Sequence, residues 1–130
     1  MVSDRGAMIT LCGEQYEMIL TTKATKAINS RYGGLGNLGE KLASADNFEE
    51  IIDELVWLIT LLVNQSILAH NAKNKFYPEN IKPLLNEEDI EIFTTPADFF
   101  DYKDAIFEAL KKGIERHIKS EENPKNAIVG

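Results

Sequence analysis

Leu55-Val56-Trp57-Leu58-Ile59-Thr60-Leu61-Leu62-Val63 is apolar everywhere except Thr60, and Asn64-Gln65-Ser66 follow it directly. A surface helix keeps one polar face, so a run that is apolar all round belongs inside a fold. The run is about nine residues long, whereas a bilayer-crossing helix needs about twenty, which favours a buried helix over a membrane span. Asp46 or Asn47 can cap its N-terminus, and Glu49, Glu50 and Asp53 lie near the positive end of its dipole. The helix is expected to run to about Ala69 or His70, roughly 34 Å at about 1.5 Å per residue. That is comparable with the width of a domain of this length, so other elements must surround it.

Working outward, Met8 to Leu20 reads as a β-hairpin. Ile9 and Leu11 alternate with Thr10 and Cys12, Gly13-Glu14 supplies a turn, and Tyr16, Met18 and Leu20 resume the alternation. An isolated hairpin is marginal in water, so its apolar face needs the helices as cover. Thr21 or Thr22 can cap a first helix ending at Gly33-Gly34, and a short helical piece is expected around Leu38 to Ala43. Beyond the polar connection from Asn71 to Lys82, Asn86 can cap a short acidic helix with Ile90, Ile92 and Phe93. Thr95-Pro96-Ala97-Asp98 opens a last helix whose apolar stripe comprises Phe99, Tyr102, Ile106, Ala109, Leu110, Gly113, His117 and Ile118. The expected fold is mainly α with an N-terminal antiparallel β-hairpin, a small α+β domain with a long central buried helix packed by shorter helices. Its expected organisation is a flexible arm at 1–7, one globular domain at 8–119 and a disordered tail at 120–130.

Composition bounds the function. The 130 residues carry 14 basic and 21 acidic side chains, a net charge of −7. Nucleic acid and anionic membranes are bound through clustered Lys and Arg, so neither is an expected partner. Cys12 is the only cysteine, which excludes an internal disulfide and suits a reducing cytoplasm. Gly34-Leu35-Gly36-Asn37-Leu38-Gly39 has the Gly-x-Gly-x-x-Gly spacing of dinucleotide-binding loops. That motif needs a buried strand before it, whereas Lys23 to Tyr32 reads as a helix, so a helix–helix connection is expected. His70 and His117 have no helical neighbour suited to share a metal, and the paired acids fall at helix starts, where the dipole accounts for them. No enzymatic activity, cofactor or metal is expected.

Arg31-Tyr32-Gly33-Gly34-Leu35-Gly36-Asn37-Leu38-Gly39-Glu40-Lys41-Leu42, then Asn47-Phe48-Glu49-Glu50, Leu55 to Ile59 and Asn64-Gln65-Ser66, carry a resemblance. With Glu115-Arg116-His117 and Glu121 to Asn126, they resemble the tail assembly chaperones of long-tailed phages and prophages of low-GC Gram-positive bacteria. The resemblance spans about Met8 to Asn126. It implies a binding protein of the host cytoplasm that keeps the tape-measure protein soluble and is displaced by tail-tube subunits, with homo-oligomers possible. No site residues carry over from the family. The last helix supplies the candidates for a partner surface: Phe99, Phe100, Ile106, Phe107, Leu110 and Ile114. The resemblance also implies a programmed −1 frameshift, and Pro124-Lys125-Asn126, just before Ala127 to Gly130, permits the A-run that such a slip needs. The alternative function is a small acidic helical regulator or antitoxin-like interaction protein.

Overall fold

The computed structural model describes residues 6–129, with side chains as far as Glu115. Strands β1 (Gly6–Leu11) and β2 (Glu14–Ile19) form an antiparallel hairpin with Ala7 opposite Met18, Ile9 opposite Tyr16 and Leu11 opposite Glu14. Five helices follow: α1 (Thr22–Tyr32), α2 (Leu35–Ser44), α3 (Phe48–Lys73), α4 (Glu87–Phe93) and α5 (Phe99–Val129). Short 3-10 turns lie at Pro78–Asn80 and Pro96–Asp98. The small α+β architecture with a long central helix is the one expected.

Local chemistry sets most boundaries. Thr21 accepts from the Ala24 amide at the start of α1, and Gly33, at φ 83°, ends that helix in the left-handed region. Asn47 accepts from the Glu50 amide at 2.7 Å to start α3. Asn86 and Asp89 form a reciprocal capping box at α4, as Thr95 and Asp98 do before α5.

Three boundaries differ from the expectation. β1 starts at Gly6 rather than Met8, so Gly6 and Ala7 leave the presumed arm and are buried, while residues 1–5 lie outside the described residues. Gly6 permits this because a Cβ there would stand 2.1 Å from the Met18 carbonyl oxygen. The hairpin turn is Cys12-Gly13, both at positive φ (51° and 84°), not Gly13-Glu14. That is the backbone of a two-residue turn whose twist matches the strands. Finally, the backbone of 120–129, expected as a disordered tail, continues α5 to Val129. Pro124 removes one N–H from the ladder, and the helix-favouring Glu121, Glu122, Lys125 and Ala127 surround it.

The core is one cluster. Ile9, Leu11 and Met18 of the hairpin meet Ile28, Leu38, Leu42, Ile90 and Ile106 around Leu55, Leu58, Ile59 and Leu62 of α3. β2 lies against α3 and β1 against α5, while α1 and α4 flank α3. Ile51, Ile52, Ile67 and Leu68 lengthen the apolar run of α3. By length and composition it could cross a bilayer, and half of that apolar window is buried inside the domain.

Candidate functional site

The capping box and Pro96 fix where α5 begins, and that start fixes which of its residues face inward. Phe99, Ile106 and Leu110 are buried in the core; Phe99 and Ile106 serve packing rather than an open surface, whereas Leu110 also lines a groove between α2 and α5. Phe100, Phe107 and Ile114 point outward, 71%, 36% and 39% exposed. Spaced seven apart, they form one line along the helix. Phe48, at the start of α3, stacks on Phe100 with ring centroids 5.8 Å apart and planes 19° from parallel. Further along, Phe107, Leu110 and Ile114 meet Leu35 and Leu38 of α2 around an apolar groove of about 280 Å³. Lys111 and Glu115 stand at its rim, 4.0 Å apart.

A larger groove, about 860 Å³, lies over α3. Its floor is Trp57, Thr60, Leu61, Asn64 and Leu68; Lys23 and Arg31 of α1 stand on one wall, Glu87 and Glu91 of α4 on the other. Two polar clusters hold the walls in place. At one end the Arg31 guanidinium reaches both Glu54 carboxylate oxygens at 3.4 Å and lies over the Trp57 ring, 4.5 Å from its centre. The Tyr32 hydroxyl donates to Glu54, and its ring meets Trp57 edge-on at 5.9 Å. Burial, then the hydrogen bond to Glu54, pushes the Tyr32 phenol up to about 12.

At the other end two asparagines on α3 tie down the segment leading to α4. The Asn64 amide donates to the Leu85 carbonyl at 2.7 Å and accepts from the Leu85 amide at 2.9 Å. Asn71 makes the same pair of bonds with Lys82, both at 2.9 Å. His70, in the last turn of α3, adds a contact of 2.7 Å from its Nε2 to the Asn80 carbonyl. Each asparagine thus engages a loop backbone as a paired strand would. Their spacing of seven in an otherwise apolar helix is a signal that sequence reasoning passed over.

The remaining candidates are scattered. Gly34 (φ 143°) is the N-cap of α2, and Gly36 and Gly39 lie within that helix. The glycine motif is therefore the α1–α2 junction, with a helix where a dinucleotide site has a strand. Cys12 is exposed in the hairpin turn, and the side chain of His117 lies outside the described residues. Among the described residues, no three His, Cys, Asp or Glu side chains gather as a metal site would require. No protein-family model, curated protein or solved structure matches this chain.

Proposed function

We propose that this protein is a tail assembly chaperone of a phage or prophage, acting in the bacterial cytoplasm. It holds apolar helices of the tape-measure protein until tail-tube subunits replace it. The observation that carries the reading is the exposed line Phe100–Phe107–Ile114 beside the α2–α5 groove. Amphipathic helices dock through apolar side chains repeating every three, four or seven residues, and such a line offers them a seat. The net charge of −7 supports solubility of the protein with that surface uncovered. The resemblance between Arg31 and Ser66 supports the choice of partner. A −1 frameshift at Pro124-Lys125-Asn126 belongs to the same proposal, and codons that break the A-run there would remove it.

Co-expression with the tape-measure protein of the same phage tests the reading. The tape-measure protein should stay soluble with the wild-type chain. It should aggregate with a Phe100→Ser/Phe107→Ser/Ile114→Ser variant whose own melting temperature is unchanged. Aggregation that is the same with and without the wild-type chain would overturn the proposal.

A further inference from the structure

The groove over α3 is separate from the α5 surface. We propose that it is a second docking site, for a basic amphipathic helix whose apolar face lies on Trp57, Leu61 and Leu68 and whose Lys or Arg edge runs along α4. Three observations point to that occupant. The first is length: Asp53 to Leu68 spans about 22 Å at about 1.5 Å per residue, room for four turns of a partner helix. The second is the absence of polar demand in the floor. Thr60 donates to the Val56 carbonyl, Asn64 is engaged by Leu85, and Gln65 is held by Thr21 and the Leu61 carbonyl. A floor whose polar groups already have partners selects hydrocarbon rather than a polar small molecule.

The third is charge. Glu87 and Glu91 are one helical turn apart, both exposed on the α4 wall, and Asp53 adds a carboxylate at the end of the groove. Opposite them, the Arg31 charge is already committed to Glu54 and leaves Lys23 as the other cation of the lining. With three carboxylates against Lys23, the net unneutralised charge is negative, and two of the carboxylates line the α4 wall. A helix with cations along one edge satisfies that wall, whereas an anionic helix is repelled by it. This inference deepens the binding reading above by adding a site with its own partner chemistry. Its test uses synthetic helices, so its failure would leave the tape-measure result unaffected.

Trp57 is the only tryptophan and lies in the groove floor, so its emission reports occupancy. Peptides of about 15 residues match the length of the groove. One has Leu on one face and Lys on the other; a second has Glu in place of Lys. The Leu/Lys peptide should shift Trp57 emission to shorter wavelength and saturate, while the Leu/Glu peptide should not. Glu87→Lys/Glu91→Lys should weaken binding about tenfold, as loss of contacts on a charged rim predicts. Asp104→Lys/Glu108→Lys makes the same change in net charge on exposed α5 positions and should leave affinity within about twofold. The proposal falls if no saturable shift occurs, if both double variants weaken binding equally, or if the Leu/Glu peptide binds as well. An emission shift that depends on protein concentration alone would assign the groove to a second copy of the chain and overturn it too.

Discussion

Arg31, Tyr32, Glu54 and Trp57 interlock so closely that each fixes the geometry of the others. Glu54 is a buried carboxylate, and only the guanidinium and the phenol beside it make that burial tolerable. Tyr32 carries a pH signature of its burial first and of this contact second. Its folded pKa, about 12, exceeds the ordinary 10, so below pH 10 the phenol is neutral in both folded and unfolded chains. Between pH 10 and about 12 the unfolded chain ionises while the fold keeps its proton, so the stabilisation is lost as pH rises through that window. The melting-temperature gap between wild type and Tyr32→Phe should therefore be widest below pH 10 and close toward pH 12. Tyr16 and Tyr102, also raised, titrate in both proteins and cancel from the difference. A gap that stays constant across the window would contradict the buried, Glu54-bonded placement of Tyr32. Cys12 gives a second test at this scale. Its φ of 51° is costly for most L-residues, and asparagine tolerates it best. Cys12→Asn should stabilise the protein by about 0.5–1 kcal/mol, read as a rise in melting temperature.

Where helix meets hairpin, α5 is held tightly. Tyr102 donates to the Thr10 carbonyl at 2.8 Å and Lys112 to the Gly6 carbonyl at 2.9 Å. Next to Lys112, Gly113 passes Leu20 so closely that an added Cβ would lie 2.6 Å from the leucine Cβ. Alanine favours a helix by about 1 kcal/mol over glycine, but here it meets the stem of a side chain that cannot swing away. Gly113→Ala should destabilise by about 1–3 kcal/mol in urea unfolding, and a stabilised variant would show that the two elements have room to separate. These element-scale features divide by how local their causes are. The caps at Asn86 and Thr95 were legible in the sequence, and those of α1 and α3 to within two adjacent residues, because a side chain and an amide three residues away suffice to make them. The hairpin was legible from its alternation, while its turn was misread by one residue because Cys12 is not a residue that advertises positive φ. The split of the α5 candidates into buried Phe99, Ile106 and Leu110 and exposed Phe100, Phe107 and Ile114 needed the position of α3 and the hairpin. So did the groove over α3: its walls meet only through tertiary contacts, and an all-round apolar run gives no hint of which side stays open.

Across the whole molecule, a single core draws on both strands and all five α-helices. Leu58 is fully buried at the centre of a cluster to which both strands and all five helices contribute. A core of this kind leaves no part able to persist alone: the hairpin has no other cover for its apolar face, and α4 buries only Ile90 fully. Unfolding should therefore be a single cooperative event. Leu58→Ala removes side-chain volume from a close-packed site and should cost about 2–5 kcal/mol, within the total stability of about 5–15 kcal/mol usual for a domain. Helical circular dichroism and Trp57 emission should fall together, at a lower temperature than in wild type. Leu58→Asp is a different perturbation. An aspartate there finds no cation in the surrounding cluster of hydrocarbon, and its desolvation exceeds what a marginally stable domain can absorb. That variant should show no cooperative melt at all. If the two probes separated in Leu58→Ala, with the hairpin and α5 outlasting the α3–α4 region that carries Trp57, the domain would consist of two folding units. The groove over α3 would then belong to the weaker one.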